Sequence, residues 1–196
     1  MPVAAGESLD PARTRATILA AAEDLFYRGG LGLPVKELCA AVGASKETVY
    51  RHFGSKDGLI QAVVVSRSDR VIGKLTAAAE AGADPAARLA AIFADLVDWL
   101  AEPDYLGCAI LNAATERSDI AGPLATTHLG RYHRLLTGIA RDAGAADPTG
   151  LARQLLILIE GAIAVARHDP DPRATGLSAK DAALALLRAS TESSGT

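Results

Sequence analysis

Three observations in the sequence predict an all-α chain. Apolar residues recur three and four apart along nearly all of its 196 residues, which is the spacing of one helix face. No segment alternates apolar and polar residues with the β-branched enrichment of a strand. Short runs rich in Pro, Gly or Asp ("AGADP", "EPDYLG", "RSDIAGP", "AGAADPTG", "DPDPRATG") separate the helical stretches, and such runs stop helices. Nine to ten helices follow.

The first helix takes Asp10 as its cap and Pro11 as its first residue, and Gly29-Gly30 ends it. Ile18, Ala22, Leu25 and Phe26 form its apolar face. Pro34 begins a short second helix with Val35, Leu38, Cys39 and Val42 inward, closed by Gly43. Ser45 caps a third helix, in which Val49 and Phe53 face inward, and Gly54 stops it. Ser55 caps a fourth, which carries Leu59, Ile60, Val63 and Val64 and runs to about Ala81. Later helices are expected over Pro85–Ala101, Gly107–Glu116, Pro123–Ala143, Thr149–His168 and Leu177–Ser190. The first eight or nine residues and the tail "RASTESSGT" read as disordered. The spacing divides the chain into an N-terminal unit over 10–56 and a larger bundle over 57–190, with 57–81 as a linking helix.

Composition narrows the function. Hydrophobic residues make up 49% and charged residues 22%, as in soluble globular proteins. Aromatics are 4%, so the core is aliphatic. The formal charge of −3 argues against a general coat of nucleic acid and leaves room for a local patch. Cys39 and Cys108 sit among apolar neighbours and read as free buried thiols, and no Cys/His spacing suggests zinc. The N-terminus lacks the pattern of a signal peptide. The longest apolar run, Leu155–Ala166, is interrupted by Glu160 and falls short of the ~20 residues that span a bilayer. A cytoplasmic protein with no membrane partner, metal or cofactor is expected.

The stretch "GASKETVYRHFGSKDGL", Gly43–Leu59, concentrates polar chemistry in an otherwise Ala- and Leu-rich chain. Two short helices joined by the tight turn at Gly43-Ala44-Ser45 form a helix-turn-helix, whose second helix can enter a DNA major groove. With Val49 and Phe53 inward, Lys46, Glu47, Tyr50 and Arg51 face outward, flanked by Thr48 and His52. Such groups meet phosphates and base edges. The helix starts at Ser45 and Ser55 offer free N–H groups to phosphate, and Lys56 adds a charge. Spacing alone leaves a second reading open, two ordinary solvated helices capped by serine. Charge does not decide, because residues 1–60 hold seven Lys/Arg and seven Asp/Glu.

The order of the motifs does decide. "ILAAAEDLFYRGG", "VKELCAAVGASKETVYRHF" and "SKDGL" resemble, from Thr14 to about Val64, the N-terminal domain of the TetR family of bacterial transcriptional regulators. The resemblance implies a three-helix DNA-binding domain, a variable helical domain that binds a small-molecule effector, a homodimer, and usually repression relieved by the effector. It implies that Thr48 and Tyr50 contact the DNA backbone, that Lys56 binds phosphate, and that Lys36, Lys46 and Glu47 occupy variable positions near the bases. Two departures stand out. Leu33-Pro34 replace a common Thr-Thr, which removes a cap and a phosphate contact. Glu47 replaces a small residue; it can accept from a cytosine N4 amino group or pair with Arg51, four residues on, and the pair is the expected reading.

The bundle is less readable. "YLGCAILNAATE" resembles one subgroup of the family and names no ligand. Trp99, Tyr105, Asn112, Glu116, His128 and Tyr132 are polar or amphipathic residues among apolar helices, the composition of an effector pocket, although each could be an ordinary core or surface residue. Leu155, Leu158, Ala162, Leu184 and Leu187, on the last two helices, are expected at the dimer interface. Glu160 in that apolar run needs a cation or a ligand. Two other readings remain: a DNA-binding regulator without an effector, and an all-α enzyme with an incidental helix-turn-helix. The second lacks any HExxH, GxSxG or phosphate-loop motif.

Overall fold

The structure, a computed structural model, describes residues 10–192. The N-terminal residues expected to be disordered lie outside that range, as does the end of the tail, residues 193–196. Among the described residues the elements are α1 (Pro11–Gly29), α2 (Val35–Ala41), α3 (Lys46–Phe53), α4 (Lys56–Glu80), α5 (Pro85–Leu100), α6 (Ala109–Glu116), α7 (Ser118–Asp142), α8 (Pro148–Ala166) and α9 (Pro172–Glu192). The expected caps form. Asp10 accepts from the Ala12 N–H at 3.0 Å, Ser45 from Thr48 at 3.1 Å and Ser55 from Gly58 at 3.0 Å. Each cap satisfies a helix donor that has no partner within its own helix, at about 1 kcal/mol. Gly54 closes α3 at φ 76°, a conformation that costs a side chain strain.

Ile18, Ala22 and Phe26 of α1, Leu38 of α2, Val49 of α3 and Leu59 and Ile60 of α4 are buried together as the core of the N-terminal unit. Truncating any of the larger ones to Ala would cost about 2–5 kcal/mol. The linking helix α4 leaves this unit and enters the bundle, where Leu75 and Ala79 are buried. Leu89, Phe93 and Leu100 of α5, Leu136 of α7 and Leu155 and Ile159 of α8 fill the second half of the core. α9 lies close along α5 because Gly176 has no side chain: a Cβ there would stand 3.0 Å from Val97 Cα.

Some boundaries differ from expectation. α7 begins at Ser118, so Pro123 lies inside it. Proline removes one hydrogen bond from a helix interior, but Pro123 and Asp119, whose carbonyl loses its donor, are both exposed. Buried Ala121 and Ala125 hold this first part of the helix against the core. α9 extends to Glu192, so residues 188–192 are helical rather than disordered, and the Ser190 carbonyl accepts from the Ala146 N–H at 3.2 Å. Cys108 is buried as expected, whereas Cys39 is only partly so.

The expected dimer contacts need correction. Leu155, Ala162 and Leu187 are 0%, 5% and 4% exposed within a single chain, so they have no surface to offer a partner. Leu158 and Leu184 are half-buried. α8 is apolar on both sides, and the residues that face outward are Ile157 and Val165, 65% and 56% exposed, with Gly161 and Ala164 between them. Leu177 of α9 is 47% exposed.

Candidate nucleic-acid interface and buried cavity

Val49, fully buried, anchors α3 and leaves its opposite side free. Ser45, Lys46, Glu47 and Arg51 are exposed there, and Thr48, Tyr50 and His52 are half-buried. Lys36 is exposed near the start of α2. The expected Glu47–Arg51 pair forms at 3.1 Å. Both partners are solvated, so it is worth a few tenths of a kcal/mol and leaves most of Arg51's donors free. Lys46 lies over the Tyr50 ring at 5.3 Å from its centroid, and the Thr48 and Ser45 hydroxyls are 2.9 Å apart.

Lys56 has a role that its position in the motif does not reveal. Its ammonium donates to the Leu33 carbonyl at 2.6 Å. The side chain thus ties the start of α4 to the turn before α2, where neither Leu33 nor Pro34 supplies a side-chain cap. An ammonium has three donors, so the others stay available to an anion. Gly58 is equally constrained: a Cβ there would sit 2.0 Å from the Phe53 carbonyl oxygen. Only glycine lets α4 start this close to the end of α3. That contact sets the angle between the two helices.

α6 is fastened to the N-terminal unit at both ends. At its start, the Tyr27 hydroxyl donates to the Gly107 carbonyl at 3.1 Å and accepts from the Leu106 N–H at 2.7 Å. At its end, Glu116 Oε2 accepts from the Leu31 N–H at 2.7 Å. Arg117 reaches Asp57 of α4 at 3.2 Å. A third tie joins α1 to α4, where Glu23 binds Arg67 and Arg70. Burial works to raise the Glu23 pKa, but the hydrogen bonds from Arg70 and Arg67 outweigh it and hold the carboxyl below its ordinary value.

The six residues expected to line one pocket separate. Trp99, His128 and Tyr132 line a cavity of about 230 Å³ among α4, α5, α6, α7 and α8, together with Cys108 and Glu160. Asn112 and Glu116 instead line a cleft of about 490 Å³ between the N-terminal unit and α6. Asn112 is spent on the Leu106 carbonyl at 2.9 Å. Tyr105 supports the first cavity from behind: its hydroxyl donates to the Ile163 carbonyl at 2.6 Å, and its ring meets Trp99 edge-on.

Inside that cavity, the His128 Nδ1 is 2.9 Å from the Ser68 hydroxyl, which itself accepts from Arg131 at 3.2 Å. A hydroxyl has one donor and two acceptor sites, so Ser68 can accept from Arg131 and either donate to Nδ1 or accept from it. Burial, helped by Arg131, pushes the His128 pKa down to about 4, so the ring is neutral. Burial pushes the Cys108 thiol up to about 11, which makes it inert. Burial alone pushes Glu160 up to about 7. Lys74 and Asp95, which pair at 2.6 Å on the cavity wall, were not singled out in the sequence. Nothing short of the fold brings residues so far apart in the chain together. No cluster of metal-ligating groups occurs among the described residues.

A family model described as bacterial regulatory proteins, tetR family, matches residues 18–63. Over 65 residues, 33% of this chain, the sequence is 37% identical to the HTH-type transcriptional regulator UidR of Escherichia coli K12. The match spans about a third, 32%, of that curated relative's length. Among solved structures, the fold is similar to a TetR-family transcriptional regulator from Streptomyces coelicolor, with a TM-score of 0.86 and 26% identity over 92% of this chain and 97% of that one. It is also similar to a tetR-transcriptional regulator from Streptomyces avermitilis, with a TM-score of 0.75 and 32% identity over 87% and 97%.

Proposed function

The chain belongs to the TetR family of bacterial regulatory proteins, and we propose that this DNA-binding regulator acts as a homodimeric, ligand-responsive repressor in the cytoplasm. Two copies of α3 would enter successive major grooves of an inverted-repeat operator. Lys36, Lys46, Glu47 and Arg51 would lie nearest the base edges. Ser45, Thr48, Tyr50, His52 and Lys56 would hold the backbone. The dimer would form on the outward stripe of Ile157, Gly161, Ala164 and Val165, with Leu177 beside it. The window of α8 with mean hydropathy 1.5 is only 39% buried within one chain, and a second copy of the same stripe would cover the remainder.

One observation carries the regulatory part. α6 contributes Ala109 and Ile110 to the cavity wall, while its ends hold Leu31 and, through Arg117, Asp57. A ligand that displaces α6 would therefore move the anchors of the N-terminal unit. Such a ligand lowers DNA affinity only by binding the displaced state more tightly, and DNA weakens ligand binding by the same factor.

Fluorescence anisotropy with genomic DNA fragments tests this reading. The expected result is saturable binding with two chains per duplex, weakened by changes at Lys46 or Tyr50. Binding by a single chain, or binding indifferent to both changes, would rule it out.

A further inference from the structure

The cavity beside Trp99 holds a carboxylate without a partner among the described residues. Its wall carries three cations, Arg67, Arg70 and Lys74. Lys74 binds Asp95, and both arginines share the single Glu23 carboxylate, which leaves them one net positive charge; none of the three pairs with Glu160. The wall also carries Glu160, which has no hydrogen bond or ion pair among the described residues, and Glu102. A half-buried carboxylate with no partner is costly, and no cation among the described residues pairs with it. The titratable groups that act on its surroundings are Tyr105 and Cys108, Tyr132 of α7 and Asp95 of α5, all neutral or anionic. Arg67 acts on Cys108 and Arg167 on Tyr105.

Aromatic surface stands beside this carboxylate. Trp99 lines the cavity, and Tyr132, 7% exposed, has no hydrogen bond from its hydroxyl among the described residues. Aromatic faces attract organic cations, and a protonated or quaternary nitrogen beside a carboxylate in a dry site gains a strong electrostatic contact. His128, 1% exposed, keeps its Nε2 unused by Ser68, for a polar group elsewhere on the ligand.

We propose that this cavity takes a small organic cation, an amine or quaternary ammonium with an apolar body, with Glu160 as its counter-ion and Trp99 and Tyr132 as its aromatic wall. This rests on the reading of the cavity as the effector site and assigns its ligand a chemical class. The cation supplies the partner that Glu160 lacks. Anionic or neutral ligands of the same shape would leave Glu160 unpaired.

Trp99 is the only tryptophan in the chain, so its fluorescence reports on the cavity directly. Benzyltrimethylammonium, benzyl alcohol and benzoate share an aryl group and differ in charge. Each is titrated into the full-length protein and into the shape-conserving Glu160→Gln variant, with calorimetry as a second readout. The expected result is a cation bound about tenfold or more tighter than the other two, with that preference lost in Glu160→Gln and benzyl alcohol binding unchanged. Equal or better binding of benzyl alcohol or benzoate, or full cation affinity in Glu160→Gln, would overturn the proposed class and leave the effector site standing. No binding of any of the three would overturn both the class and the reading of the cavity as a ligand site.

Discussion

Glu116 Oε2 accepts a hydrogen bond from the Leu31 N–H at 2.7 Å, across 85 positions of sequence. Glu116 ends α6, and Leu31 is buried just beyond α1. The contact therefore joins the wall of the cavity to the unit that bears α3. Gly30 leaves room for it, because a Cβ there would meet the same carboxylate oxygen at 2.9 Å.

Removing this clasp leaves the Leu31 amide without its acceptor. Glu116→Ala should destabilise the fold by about 1–2 kcal/mol and speed hydrogen exchange at Leu31 selectively. Exchange at Leu31 equal to that of the parent protein would mean that the contact does not hold in solution.

Gly58 and Gly73 both lie in α4, and only Gly58 is crowded. Gly58→Ala places a Cβ against the Phe53 carbonyl. It should cost about 2–4 kcal/mol and at least tenfold in DNA affinity. Gly73→Ala meets nothing within 4 Å and should stabilise by up to about 1 kcal/mol. Thermal melts of the two variants make the comparison, and effects of the same sign, or the reverse of these two, would contradict it.

Lys56→Ala should lower affinity for every DNA sequence by a similar factor and reduce the salt slope by about 0.9. It should also loosen the turn before α2 by freeing the Leu33 carbonyl. A loss confined to certain sequences would mean that Lys56 reads bases.

Glu160 makes stability depend on pH in a defined direction. Its folded pKa, about 7, lies above the ordinary value of 4.5. The folded state therefore keeps a proton that the unfolded state has already released. The benefit is complete below pH 4.5 and is lost as pH rises through 7. Glu160→Gln should match the parent near pH 4.5 and exceed it at pH 8 by about 2 kcal/mol, roughly 4–8 °C in Tm. His128, lowered from 6.5 to about 4, acts in the opposite sense and removes stability as pH falls through that window. A Glu160→Gln variant no more stable than its parent at pH 8 would show that the carboxylate is better solvated than its position implies.

Ile157→Asp places a charge on the outward stripe of α8, whereas Leu155→Ala opens a cavity inside one chain. The first should shift sedimentation toward a monomer with little loss of secondary structure. The second should leave association intact and cost about 2–5 kcal/mol. Reversal of the two effects would place the interface elsewhere.

Much of this was legible in the sequence because its signals are local. Asp10, Ser45 and Ser55 announce helix starts through caps that act within three residues, and Val49 marks the inward side of α3 by its spacing. The division of α8 was not legible. Leu155 to Ile159 are all apolar, so periodicity cannot say that Leu155 and Ile159 face in while Ile157 faces out. Glu116 lines a cleft, but its hydrogen bond to Leu31 was not legible. Its partner is a backbone amide that only the tertiary fold brings near, and no side-chain pattern marks such an acceptor. The Lys56–Leu33 bond escaped for the same reason. Glu160 did stand out as a charge in an apolar run, but only the fold shows that Arg67, Arg70 and Lys74 turn to Glu23 and Asp95 rather than to it.

Sequencing the genomic fragments that the purified protein selects tests the central claim most directly. Two α3 helices related by a dimer axis predict an inverted repeat whose half-sites lie about one helical turn, ~34 Å, apart. A single asymmetric site, or fragments with no common sequence, would contradict it.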